Sequence, residues 1–390
     1  MPFASALSTE KSPLRAVAEV VAATNTLPGP PSLAVVFFST HHLPAAANIG
    51  RQLQEKLDPD CLIGCQGEAI AGTGREVEGE PALSLWVAHW GGKVTAECFH
   101  LTPELTPDGP TLFGWPDSLV DTDFTKSLML TLGDPYTFPA TDLFLPRLNE
   151  DYAGLRVHGG MASGMSDRGQ TRLLLNDSVY DDGAVGVLLR GNVGIRGVVS
   201  QGCRPVGHPY VVTKAKENII FELGGKPPVF QLRDLLRQLP ELDQQMFQQG
   251  PHIGLAMSEL KDQFGRDDFL VRNLYGMDPQ NGAIAITDRV RVGQTVQFLV
   301  RDAASADDDL HVLLKQDREK HTGKPAGALM FTCNGRGTRL FPHPHHDAAA
   351  IAAEFGPIPL AGFFAAGELG PVGGKNFLHG FTASVVLFEE

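Results

Sequence analysis

The sequence predicts a mixed α/β (α+β) protein of two domains, with large mixed β-sheets flanked by helices and a duplicated strand-loop-helix-strand unit. Three observations predict it. The first is a pattern seen near the start of the chain and again at its end: an apolar strand, a His-containing loop, a helix, then an apolar-Gly turn into Gly-Glu. It runs from Leu33–Ser39 through His41-His42 to Ile63–Glu68, and again from Ala328–Cys333 through His343–His346 to Leu360–Glu368. Two distant copies indicate duplicated halves rather than a solenoid. The second is the glycine and proline content, 43 and 28 residues, which demands many tight turns. The third is a long strand-rich stretch interrupted by single helices, the pattern of large mixed sheets.

In chain order, Ser12-Pro13 sets a helix start, Ser as cap and Pro at the first helical position, and the helix runs to about Thr24. The continuous apolar run from Leu33 to Ser39 predicts a strand buried on both faces. Ala46, Ile49, Leu53 and Leu57 recur at helical spacing and lay one apolar stripe on that sheet. Short strands follow at Leu62–Cys65 and Ala82–Trp90. A weaker echo of the same order is legible in the middle, from Leu128–Leu132 through a helix near Thr141–Asn149 to Leu155–Gly160. The stretch from Pro103 to Asp121, rich in Pro, Gly and Asp, reads as a surface connection. Further strands are expected at 185–189, 194–201, 218–223, 253–257, 269–274, 283–287 and 295–301. One helix is expected after Pro228 and another near Ser305, with Asp307–Asp309 in its first turn. A boundary near Pro205 divides the chain into domains 1–204 and 205–390.

The formal net charge of −13 argues against a nucleic-acid or anionic-membrane partner. No segment approaches the ~18 apolar residues of a membrane span. The N-terminus lacks a signal-peptide pattern, and five scattered cysteines do not form a secreted framework. A reduced, cytoplasmic protein is the expectation.

Several residues are candidates for chemistry. The loop His343-Pro344-His345-His346 offers imidazoles for a metal or haem, although a solvated helix entry capped by Asp347 accounts for it equally. The Gly-rich segments 64–67 and 362–374 match neither a phosphate loop nor a dinucleotide fingerprint. They still allow backbone N–H groups to approach a ligand. Arg204 and Arg336, set among glycines, suit bidentate clamping of a carboxylate or phosphate. Glu368, next to Gly367, suits an ammonium group, and Asn334 adds neutral hydrogen bonds. Cys203 and Cys333 each have an arginine nearby that favours thiolate, which keeps a cysteine-dependent enzyme open. Buried, inert cysteine is the commoner outcome.

The motifs Gly197–Gly207, Phe269–Leu274, Val292–Asp302, Cys333–Gly337, Gly362–Phe364, Gly367–Gly374 and His379–Ala383 resemble the FIST family. Gly64–Gly67 and Glu76-Val77-Glu78 are similar to its N-terminal domain. The resemblance covers nearly the whole chain, in family order. It implies a sensory module that binds a small ligand, with amino acids or their derivatives as the proposed class and haem in some nitric-oxide-sensing members. With the match filling the chain, signalling is expected to pass through a separate protein or through oligomerisation, a homodimer being one form. On that reading the ligand-binding residues are Arg204, Cys203, Asn334, Arg336, Glu368, Gly367 and His379, with His343, His345 and His346 as the metal candidates. The alternatives are a haem- or metal-binding gas sensor and a cysteine-dependent enzyme.

Overall fold

The two apolar runs that open the duplicated pattern are strands buried on both faces, Leu33–Ser39 and Gly327–Cys333. The computed structural model describes residues 2–261, 263–265 and 268–390. The chain divides into two compact units, one running to Ser200 and resuming at Leu310–Glu390, the other spanning Gln201–Asp309.

The first unit opens with β1 (Phe3–Ser8) and α1 (Pro13–Thr24), then builds one pattern three times. In the first repeat β2 (Leu33–Ser39), α2 (Ala46–Leu57) and β3 (Leu62–Gly67) lead into the hairpin β4 (Ala69–Gly72) and β5 (Arg75–Glu78) and the return strand β6 (Leu83–Ala88). A second hairpin, β7 (Val94–Thr106) and β8 (Gly109–Phe113), precedes the second repeat. That repeat has β9 (Leu128–Gly133), α3 (Leu145–Asp151), β10 (Arg156–Met161), the hairpin β11 (Leu173–Leu175) and β12 (Ser178–Tyr180), and β13 (Ala184–Gly191). The strand β14 (Ile195–Gln201) follows.

The second unit holds β15 (Cys203–Pro205), β16 (Tyr210–Lys216), β17 (Ile219–Leu223), α4 (Pro228–Leu236), α5 (Glu241–Gln249), β18 (His252–Ala256), β19 (Phe269–Met277), β20 (Ile284–Ile286) and β21 (Thr295–Arg301). All its strand pairings are antiparallel, and the added pairing of β18 with β21 closes six of them into a barrel. Closure removes the exposed edges that an open sheet would leave. Ile220, Ile253, Phe298 and Val300 form its core with Leu232 and Leu235 of α4 and Phe247 of α5.

The division between units falls within α6 (Ala303–Lys320), and the third repeat follows. It comprises β22 (Gly327–Cys333), α7 (His346–Phe355), β23 (Leu360–Ala365), the hairpin β24 (Glu368–Val372) and β25 (Lys375–His379), and β26 (Thr382–Phe388).

In each repeat the first two strands are parallel and the return strand flanks the first. The middle echo in the sequence is therefore a full third member. The hairpins are exchanged. β4–β5 extends the third repeat's β23, β11–β12 extends the first repeat's β3, and β24–β25 extends the second repeat's β10. Each repeat thus closes an edge of another, and none completes its own sheet. The shared glycine has a steric reason: a Cβ would lie 2.4 Å from Val36 O at Gly64 and 2.2 Å from Met330 O at Gly362. Only glycine lets the two parallel strands approach so closely.

Three expectations change. The stretch from Pro103 to Asp121 is largely the β7–β8 hairpin rather than an open connection. β7 pairs with β13 only as far as Leu101, so Pro103 sits where β8 is its sole ladder partner and its missing N–H is tolerated. Asp307–Asp309 lie beyond the first turn of α6, because the helix begins at Ala303 with the Asp302 carboxylate accepting from Ala304 N at 3.1 Å. The cysteines are not all reduced: Cys61 and Cys98 form a disulfide with Cα atoms 6.0 Å apart, while Cys65, Cys203 and Cys333 are free and buried. Reduction of that bridge, whose cysteines are 37 residues apart in sequence, should lower stability by about 4 kcal/mol through the freed unfolded chain. Urea unfolding with and without dithiothreitol measures this, and identical midpoints after verified reduction would refute it. Among the described residues no helix is long and apolar enough to cross a membrane.

Candidate functional site

Parallel strand-helix-strand units leave their loops at the carboxyl ends of the strands, where ligands of such folds bind. In the first unit those ends line one cavity of about 800 Å³. Thr40 and His41 follow β2, Glu68 follows β3, Gly164–Ser166 follow β10, and Asn334, Thr338 and Arg339 follow β22. Glu78, at the end of β5, and Phe364, on β23, complete the polar and apolar walls. All three repeats therefore contribute.

The Arg339 guanidinium forks onto the Glu68 carboxylate, with Nη1 donating to Oε2 at 3.0 Å and Nη2 to Oε1, while Nη1 also donates to Asn334 O at 2.8 Å. Glu78 accepts from the Thr338 N–H at 3.0 Å and from its hydroxyl at 2.7 Å. The Glu68 N–H donates to Ser163 Oγ at 2.8 Å, tying the first and second repeats at the cavity edge. The Arg339 side chain is 56% exposed and that of Glu68 35%, so this ion pair contributes little and opens at small cost. Two carboxylates and one guanidinium thus line the cavity.

Behind the cavity lies a buried polar cluster. Arg336 is 0% exposed, and its Nε and Nη2 each donate at 2.8 Å to the Asp347 carboxylate. Thr332 Oγ1 donates to the same carboxylate at 2.5 Å, and His346 Nδ1 lies 2.8 Å from it. Arg336 does hold a carboxylate in a bidentate grip, and that carboxylate belongs to its own chain. Asp347 does not cap α7: it is the helix's second residue, facing inward, where Arg336 holds its carboxyl far below the ordinary range against the opposing effect of burial. Glu76 lies under α7, with Oε1 accepting from Ala348 N at 2.9 Å. Burial first, and the Asp347 charge second, push its carboxyl up.

Glu368 is also fully buried, with Oε2 accepting from Thr382 N at 3.1 Å and Thr382 Oγ1 at 2.8 Å. Burial pushes its carboxyl to about 8, so at neutral pH it is mostly a neutral acid. Burial, and Glu368 beside it, push the Cys333 thiol up, which disfavours the thiolate that nucleophilic chemistry needs. Asn334 alone of the seven expected ligand-binding residues lines the cavity. Gly367 accepts from Met161 N at 2.8 Å, and His379 Nε2 lies 3.0 Å from Gly370 O, which can only accept. Arg204 and Cys203 belong to the second unit, where Arg204 Nε donates to Asp302 at 2.7 Å and its Nη atoms to Asp243.

The three candidate metal ligands diverge in their engagements. His345 Nδ1 accepts from Glu76 N at 3.0 Å, His346 stacks on Phe341 with ring centroids 3.4 Å apart, and His343 is exposed. Among the described residues no three metal-ligating side chains converge.

The repeated sequence pattern contains Glu68 and His41, but sequence reasoning gave no role to Glu78, Thr338 or Arg339. The available signal was period two: in a strand Glu76 and Glu78 share a face, so the two acids point the same way. Arg339 stands three residues after Arg336, on the 3-10 turn Gly337–Arg339 that local sequence did not announce.

Family models match almost the whole chain, the FIST N domain over residues 32–226 and the FIST C domain over residues 231–371. An uncharacterised protein of Mycobacterium tuberculosis is 44% identical over 386 residues, covering 98% of each chain. An uncharacterised protein of Mycobacterium bovis is 44% identical over 360 residues, covering 92% of this chain and 91% of its own.

Proposed function

Because this chain belongs to the FIST family, whose domains are associated with small-ligand sensing, we propose that its cavity receives a small zwitterionic ligand of the amino-acid class. The observation that carries this reading is the pairing of Arg339 with Glu68 in a cavity of about 800 Å³ whose wall holds a second acid, Glu78. A ligand carboxylate replaces Glu68 on the Arg339 fork, at small cost because that pair is solvent-screened. Its ammonium group then meets Glu68 and Glu78, and because the ligand is a zwitterion the net charge of the cavity is unchanged. Asn334 and Thr338 supply neutral hydrogen bonds, and Phe364 an apolar contact for the side chain.

Arg336 and Glu368 act from behind. The Arg336–Asp347 pair anchors the Asn334–Arg339 turn to α7, so these residues position the binding groups. Signalling then passes to a separate protein.

Thermal unfolding with each of the free amino acids tests the reading, since a ligand that binds only the native state raises stability by about 2.7 kcal/mol at a hundredfold excess over Kd. At least one amino acid should raise the melting temperature of the wild type. Arg339→Ala and Glu78→Gln should each abolish that rise and leave the unliganded melting temperature nearly unchanged. No response to any amino acid, or a response that survives both substitutions, sinks it.

A further inference from the structure

The second unit carries a groove unconnected with the reading above. Helices α4 and α5 have nine residues each and are therefore about 13 Å long. They border an open groove of about 520 Å³. Its apolar lining comes from Val229, Leu232, Leu236, Phe247, Pro251 and Met277. Arg233 on α4 and Arg237 at its C-terminal cap stand one turn apart, as do Gln244 and Gln248 on α5.

Two observations indicate what covers it. The charged residues that line it, Arg233 and Arg237, are both cationic, in a chain whose formal net charge is −13. Arg237 meets Asp234 at 3.6 Å, but the two side chains are 73% and 57% exposed, so the pair is screened and yields easily to a competing carboxylate. Arg233 lies over the Phe230 ring at 5.5 Å. Exposed apolar side chains also concentrate on this unit: of twelve large ones among the described residues, seven fall within 201–309, including Phe230 on α4, Leu242 on α5 and Met277 in the groove. Phe230 and Leu242 lie on the two helices that border the apolar groove and Met277 lines it, so this face is the one suited to a partner.

We propose that this groove docks an acidic amphipathic helix of a partner protein. Nine-residue banks accommodate about two and a half turns of a partner helix, enough for apolar anchors at i, i+3 or i+4, and i+7. Glutamates or aspartates beside those anchors meet Arg233 and Arg237. An open trough exposes one side of its occupant, which suits a helix with a polar back and not an acyl chain, whose burial requires enclosure.

The full-length protein is panned against a displayed library of random helical peptides. Enriched peptides are then titrated by fluorescence polarisation against the wild type, Arg233→Glu/Arg237→Glu and Met277→Glu. The expected peptides carry the three apolar anchors with acidic neighbours. Their binding weakens about tenfold or more in the double charge reversal, falls with added salt, and is also weakened by Met277→Glu. All these side chains are at the surface, so the variants should unfold at the wild-type temperature. The proposal is overturned if no peptide is enriched, if the enriched peptides are basic, or if they bind the double variant as well as the wild type. It is also overturned if light scattering shows a dimer that Met277→Glu dissociates, or if a fluorescent fatty acid and no peptide occupies the groove.

Discussion

Asp347→Ala should lower the unfolding free energy by about 3–5 kcal/mol, the cost of stranding a buried charge by removing its partner. Arg336 is 0% exposed, and a guanidinium cannot shed its proton to escape. Its Nε and Nη2 bond to Asp347 alone, and Nη1 has no hydrogen-bond partner among the described residues. Alanine would leave all three donors unsatisfied and also remove the acceptor of Thr332. Asp347→Asn, which retains one acceptor oxygen, should fall between. Arg336→Leu with Asp347→Leu should recover much of the loss, because a buried pair replaced by apolar volume is often near neutral. Urea unfolding followed by circular dichroism decides this, and a loss under about 1 kcal/mol for Asp347→Ala would show that the pair does not anchor the turn.

The same pair shows where sequence reading reaches its limit. Strands such as Leu33–Ser39 and Gly327–Cys333 were legible because burial on both faces leaves an uninterrupted apolar run. The helix Pro13–Thr24 was legible because Ser-Pro is a local signal. Short hairpins such as β11–β12 were not, since three-residue strands have too few positions to show alternation and exist because another repeat offers an edge. For the same reason the sequence displayed two copies clearly and the third faintly. The exchange of hairpins is a tertiary event that leaves no local trace. In the candidate site, the glycine-flanked Arg336 looked like a ligand clamp, and composition could not reveal that Asp347, eleven residues on, already fills its fork. Arg339 and Arg336 are chemically identical, and only burial separates them: one is 0% exposed, the other mostly in solvent.

Stability should stay nearly level up to about pH 6.5 and then fall by roughly 2 kcal/mol for each buried acid by pH 8, because the first unit contains groups displaced in opposite senses. Glu368, raised to about 8 by burial, and Glu76, raised by burial and by Asp347, hold protons that the unfolded chain releases near its ordinary carboxyl value. A raised folded value means that stability is complete below the unfolded pKa and drains away as pH climbs to the folded one. Each such group costs up to about 1.4 kcal/mol per pH unit over that window. His158, lowered to about 3 by burial, works the other way, since the unfolded imidazole takes up a proton below about 6.5 that the folded one refuses. His42, lowered by burial and by His41, acts in the same direction. Below about 6.5 the two effects offset one another. Above it the histidines are neutral in both states and the acids act unopposed. Asp347, held far below its ordinary value, gives a contribution that is constant across this range and lost only in strong acid. The groups around Glu368 are Thr382, Cys333 and Arg336, and a glutamine there keeps the acceptor for Thr382 without an ionisable proton. Urea midpoints measured from about pH 6.5 to 8.5 should therefore fall for the wild type, fall less for Glu368→Gln and Glu76→Gln singly, and stay nearly level for the double variant. A wild type without that slope, or a double variant that keeps it, would show that neither acid carries a proton in the folded protein, and that the polar cluster behind the cavity is ionised throughout.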